Sequence, residues 1–188
     1  MNMPHENAPV YTAGAKLDEA SAALILLHGR GASAEDILSL STDLTQPGLA
    51  FLAPQADDST WYPNRFTVSV EQNEPYLSGA LSLVDKIVQH VAESGIPTEK
   101  IFIGGFSQGA CLASEYVIRN PKKYGGLLVF SGGYIGPLNI PRQPNGDLDN
   151  MPAFLGCSDI DPHIPLQRVT ETTSVLRTMG AQVIEKIY

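Results

Sequence analysis

The sequence predicts an α/β fold with a mostly parallel central sheet and helices on both faces. Continuous apolar runs of strand length alternate with stretches whose apolar residues recur at the three-and-four spacing of a helix. Proline, glycine and asparagine mark most of the junctions. The chain has 188 residues, enough to bury a core without disulfide or metal staples. No repeat, low-complexity tract or linker divides it. Residues 1–188 are therefore expected to form one domain, with 1–9 flexible.

Residues 10–12 read as a short leading edge strand. Ala22–Leu27 is a continuous apolar run stopped by His28-Gly29, the pattern of a strand buried on both faces. Ile37, Leu38 and Leu44 give residues 33–44 a helical spacing that Pro47-Gly48 ends. Residues 49–53 form the next strand, closed by Pro54. From 54 to 70 the chain is polar and aromatic without a period, and an excursion of that length inside a compact domain is usually functional. Tyr76, Leu77, Ala80, Leu81, Val84, Ile87, Val88 and Val91 then mark one buried helix face, closed by Ile96-Pro97. A strand over 100–105 and a helix over Gln108–Arg119, halted by Asn120-Pro121, come next. Strands over 126–131 and 152–156 flank a loop rich in Gly, Pro, Asn and Asp. Leu166, Val169, Thr173, Leu176 and Met179 mark a helix that starts after Pro165 and stops at Gly180. Residues 182–188, rich in β-branched side chains, read as a last strand.

Hydrophobic residues make up 43% and charged residues 17%, ordinary values for a soluble globular protein. The net charge is −8, and the longest basic run is the pair Lys122-Lys123. Nucleic acids and anionic membranes need a concentrated positive face, so neither is expected as a partner. No apolar stretch approaches about 18 residues, and the first ten residues lack the basic start and apolar run of a secretory signal. A cytoplasmic protein without stable membrane insertion is the expectation. Cys111 and Cys157 fit neither a disulfide framework nor a metal site and read as two reduced thiols. No metal and no cofactor are expected.

Gly105-Phe106-Ser107-Gln108-Gly109 matches G-x-S-x-G, weak as a string but strong in context. A buried strand runs into it and a helix leaves it, the setting in which this motif becomes a nucleophile elbow of the α/β-hydrolase fold. Such a serine stands on a sharp turn above the sheet edge, and the flanking glycines keep the crossing backbone clear of it. The helix beginning at Gln108 aims an N–H and a positive dipole end at a developing oxyanion. The turn His28-Gly29-Arg30-Gly31-Ala32 after the first long strand can supply the second donor through the Arg30 N–H. The bland alternative for this turn is simple chain reversal. His28 reads as a structural histidine rather than a base. Trp61 and Tyr62, on the long excursion, read as an apolar wall for the acyl or alcohol group, or else as anchors of their own loop.

Several motifs in order carry a family resemblance: Leu27-His28-Gly29-Arg30-Gly31, Ala53-Pro54-Gln55-Ala56, Gly104-Gly105-Phe106-Ser107-Gln108-Gly109-Ala110, Phe130-Ser131-Gly132-Gly133 and Asp161-Pro162-His163-Ile164-Pro165. From about Leu24 to Tyr188 the chain resembles the phospholipase/carboxylesterase family of small α/β-hydrolases, which includes acyl-protein thioesterases. The resemblance implies a Ser-Asp-His triad and hydrolysis of small carboxylic esters or thioesters, without a cofactor. It implies Ser107 as nucleophile, with oxyanion donors at Arg30 and Gln108, and it admits a homodimer. The family's triad aspartate is followed by proline, then two residues, then proline. Asp161 fits that frame better than Asp159, which stays open as the alternative. Ser158 stands where the family has glycine. The family's base is a histidine after the last core strand, and the sequence has none after His163. The base, with a terminal helix, is therefore expected in residues following Tyr188. The alternatives in function are a thioesterase or lysophospholipase-type activity and a catalytically silent α/β-hydrolase that only binds a ligand.

Overall fold

The computed structural model describes residues 3–44, 46–138 and 140–188. Among them, seven strands form one sheet in the order β1-β3-β2-β4-β5-β6-β7. The strands are β1 (Val10–Gly14), β2 (Ala22–Leu27), β3 (Leu49–Pro54), β4 (Ile101–Phe106), β5 (Gly126–Phe130), β6 (Pro152–Cys157) and β7 (Gln182–Ile187). β1 pairs antiparallel with β3, and every other pairing is parallel. The chain thus reverses its strand order between β2 and β4, and the first glycine-rich turn and the serine turn end neighbouring strands.

Alternation along β2 divides the core. Ala23, Ile25 and Leu27 face a large cluster formed with α2 (Tyr76–Glu93), α3 (Gln108–Arg119) and α4 (Leu166–Thr178). Leu24 and Leu26 face the other side, where α1 (Ala34–Leu38) covers them together with Phe51 and Ala53. Helices do lie on both faces, but unequally. On the α1 side Phe102, Leu128, Phe130 and Phe154 stay half-buried, and Ile184 is 67% exposed.

Three sequence expectations need correction. The helix over 33–44 ends early: α1 stops at Leu38 and a 3₁₀ turn covers Ser39–Thr42. Ser33 and Asp36 make a reciprocal capping box that starts it. Ser39 and Thr42 then return their hydroxyls to the carbonyls of Asp36 and Ser39, competing with the backbone ladder. In α2 the buried face is Leu77, Ala80, Leu83, Val84, Ile87, Val88 and Val91, while Tyr76 opens the helix 44% exposed. The described residues near the start of the chain, expected to be flexible, are tied to the domain. His5 is buried: its main-chain N–H donates to Asp57 Oδ2 (2.7 Å), its Nδ1 accepts from Asp57 N–H (3.0 Å), and its Nε2 lies 3.0 Å from Trp61 O. Pro4 lies so close over Gly79 that a side chain there would collide with its carbonyl. The sequence periodicity could not show this, because the anchor is one side chain reaching more than fifty residues ahead.

Candidate active site

β4 delivers Ser107 to the top of the sheet. Its neighbours β2 and β5 end beside it, and Ser107 N–H donates to Phe130 O at 2.9 Å. Ser107 has φ 53° and ψ −115°, a conformation that costs about 1–3 kcal/mol for a residue with a side chain. The surrounding backbone enforces it. A Cβ on Gly109 would collide with the carbonyl oxygens of Leu27 and His28, and one on Gly105 would lie 2.5 Å from the Gly109 carbonyl carbon. The glycines two residues either side are thus required by contact, as the motif predicts.

Ser107 opens, half-buried, into a cavity of ≈ 630 Å³. Arg30, Tyr62, Gln108, His163 and Ile164 share its wall. No other group among the described residues accepts the main-chain N–H of Arg30 or Gln108. Arg30 and Gln108, the residues expected to supply the oxyanion donors, therefore line the same cavity as Ser107.

Their side chains do something the sequence did not indicate. The Arg30 guanidinium donates to the carbonyls of Tyr62 (2.8 Å), Pro63 (3.0 Å) and Asn64 (2.8 Å). The Gln108 amide accepts from Trp61 N–H (3.0 Å) and donates to Tyr62 O (2.8 Å). The two candidate oxyanion residues thus hold the 61–64 loop over the site.

Trp61 is a correction to the expected wall. It is fully buried and does not line the cavity. Its indole N–H donates to His28 O (2.8 Å) and its ring lies 4.9 Å from the His28 ring, so it anchors the loop. Tyr62 does line the cavity. His28 is structural: Nδ1 donates to Gly29 O (2.8 Å) and Nε2 accepts from Ala56 N–H (3.0 Å). Burial lowers its pKa, which keeps the ring neutral. Cys111, one turn into α3, borders the cavity, but burial pushes its thiol up to about 12, so it is no nucleophile at neutral pH.

Asp161 is half-buried on the loop after β6. Its Oδ1 accepts from the N–H groups of His163 (2.8 Å) and Ile164 (2.9 Å), which fixes the carboxylate and shapes the turn that brings Pro162 to Pro165 to the cavity. Asp159 is exposed, and its N–H donates to Tyr188 O (3.1 Å), tying the loop to the end of β7. His163 borders the cavity and makes no hydrogen bond to Ser107. The base expected after Tyr188 lies outside the described residues.

A buried ionic scaffold, also unforeseen, shapes the far wall. Arg168 is fully buried and donates to the carbonyls of Tyr134 (2.7 Å), Gly136 (2.8 Å) and Pro137 (2.8 Å) while pairing with Glu171 (2.9 Å). Glu115, fully buried on α3, accepts from Ile135 N–H, Arg119 and Arg142. With every buried charge paired, the loop leading to Leu138 on the cavity wall is fixed from two helices. Among the described residues no cluster of three or more His, Cys, Asp or Glu side chains could hold a metal ion. No described helix is long and apolar enough to cross a membrane.

Comparison with known proteins bears on the fold and the family. A solved phospholipase/carboxylesterase from Dyadobacter fermentans superposes with TM-score 0.93 at 41% identity, covering 100% of this chain and 89% of that one. Acyl-protein thioesterase 1 of Saccharomyces cerevisiae is 32% identical over 123 residues, 65% of this chain and 52% of the yeast protein. Lysophospholipase-like protein 1 of Mus musculus is 28% identical over 182 residues, 85% of this chain and 74% of the mouse protein. The matches to three fungal thioesterases span only 40% to 60% of those proteins' lengths. The family model for phospholipase/carboxylesterase matches residues 12–188, and with the elbow, the glycine-rich turn and the sheet order in place, the chain belongs to the phospholipase/carboxylesterase family of α/β-hydrolases.

Proposed function

We propose that this protein hydrolyses small carboxylic esters through an acyl-enzyme on Ser107. The observation that carries this reading is the strained serine turn, which lines one cavity together with Arg30 and Gln108, two residues whose main-chain N–H groups are unengaged among the described residues. Ser107 Oγ attacks the ester carbonyl carbon and gives its proton to a histidine base. The N–H groups of Arg30 and Gln108 donate to the oxyanion, each worth about 3 kcal/mol in such a site. Collapse of the tetrahedral intermediate breaks the ester C–O bond, and the base returns its proton to the departing alkoxide. Water then repeats the sequence on the acyl-enzyme, releasing the acid and regenerating Ser107.

The base is a histidine oriented by Asp161. His5 and His28 have their ring nitrogens taken by main-chain groups, which argues against either as the base. A thioester substrate is the second reading, favoured by the relatives named acyl-protein thioesterase. It passes through the same oxyanion.

The test is a fluorophosphonate probe together with short p-nitrophenyl esters, applied to the full gene product. Ser107 should take the label, and Ser107→Ala should abolish labelling and turnover together. Labelling that survives Ser107→Ala, or ester binding without turnover, would overturn the proposal. His163→Ala should cost less than about tenfold. A loss as large as that of Ser107→Ala would make His163 the base.

A further inference from the structure

The charge of the cavity is out of keeping with the chain. Twenty acidic residues face twelve basic ones overall, yet the lining of the Ser107 cavity includes Arg30 and Arg65 and neither aspartate nor glutamate. The two arginines differ in what they do. Arg30 spends its guanidinium on three loop carbonyls. Arg65 has no hydrogen bond, ion pair or ring contact from its guanidinium to any described residue.

The backbone around Arg65 is nonetheless built with care. Asn73, fully buried, accepts from Asn64 N–H at 2.8 Å and donates to Arg65 O at 3.1 Å. Asn64 Nδ2 donates to Gln72 O at 2.6 Å, and Arg65 O also accepts from Val68 N–H. Arg30 grips the same strip from the other side through Asn64 O. A fixed main chain thus carries Arg65, unengaged among the described residues, at the wall of the cavity that Ser107 also lines. The neighbouring acid, Asp161, has Oδ1 turned to main-chain N–H groups. A cavity of this charge attracts an anion, and a guanidinium matches the geometry of a carboxylate.

We infer that the preferred substrate is an anionic ester, one carrying a free carboxylate, and that Arg65 is the specificity residue that binds this carboxylate. The inference rests on the ester-hydrolase reading of Ser107 and adds the substrate class to it. Arg65 is exposed, so its contribution is that of a partly screened pair rather than a buried one.

The experiment compares p-nitrophenyl hemisuccinate with the neutral, similarly sized p-nitrophenyl valerate at low ionic strength. The kcat/KM ratio of anionic to neutral ester should exceed about five in the wild type, the upper range of a partly screened charge pair. It should fall to near one in Arg65→Gln through KM for the anionic ester, be largely restored in Arg65→Lys, and shrink on adding salt. Calorimetric titration of methyl hemisuccinate into Ser107→Ala gives a readout independent of turnover, and its binding should be lost when Arg65→Gln is added. A wild-type ratio at or below one, or a ratio that Arg65→Gln leaves unchanged, would overturn the inference while leaving ester hydrolysis standing. Arg65-dependent binding of methyl hemisuccinate without turnover of either ester would sink the hydrolase reading and keep the anion site.

Discussion

The side-chain amide of Gln108 donates to the carbonyl oxygen of Tyr62 at 2.8 Å, across 46 residues of sequence. The residue that follows the candidate nucleophile therefore also holds the cavity wall. One side chain couples the helix start, the candidate oxyanion N–H and the 61–64 loop.

Gln108→Ala should consequently act twice. It leaves the buried Trp61 N–H without an acceptor, a loss of about 1–3 kcal/mol in denaturant unfolding. It should also raise KM, because Tyr62 is released from its position on the wall. Gln108→Glu keeps an acceptor for Trp61 but loses the donor to Tyr62, so it should recover only part of the stability. Equal stability of Gln108→Ala and wild type would show that the loop is held by Arg30 alone.

Gly109→Ala and Gly31→Ala make a matched pair. A methyl group at Gly109 meets the carbonyls of Leu27 and His28, whereas at Gly31 it meets nothing within 4 Å. Gly31 does carry φ +77°, so alanine there is strained by about 1 kcal/mol. Gly109→Ala should cost about 4 kcal/mol or more, enough to leave little folded protein in a thermal melt. Similar melting of the two variants would mean that the elbow backbone can shift.

Asp161→Asn should lower kcat by about 10⁴ with the fold intact, since asparagine Oδ1 still accepts from the His163 and Ile164 N–H groups while the charge that orients a base is gone. Asp159 is exposed on the same loop, and Asp159→Asn should change kcat less than about twofold. Steady-state kinetics of the pair decides the assignment, and the opposite ranking would move the acid to Asp159.

Stability should fall as pH drops below the ordinary histidine range, in part through His28. Burial lowers its folded-state pKa, so the unfolded chain binds the extra proton first. Its contribution is complete above pH about 6.5 and declines as pH falls below that value. Urea unfolding of wild type and His28→Gln between pH 5 and 8 checks this. The variant, though less stable throughout, should show a flatter pH dependence, and parallel curves would remove His28 from the account.

Much of this protein was legible in the sequence because the signals are local. Strand runs, the buried stripe of α2 and the G-x-S-x-G turn each depend on residues a few positions apart, and the strand and helix bounds of Ala22–Leu27 and Gln108–Arg119 match the expectation. The motif also carries its own steric reason, seen in the contacts of Gly105 and Gly109. What only the tertiary structure decided is which side chains close the site. Trp61 turned from wall to anchor, His5 became a buried clasp, and Arg30 and Gln108 gained a second duty through their side chains. Arg65, with nothing around it in sequence to distinguish it, lines the same cavity as Ser107 without a partner among the described residues. A periodic pattern specifies which face of an element is buried. A long polar side chain instead finds its partner through the packing of distant segments, and that distance is set only when the sheet and loops have come together.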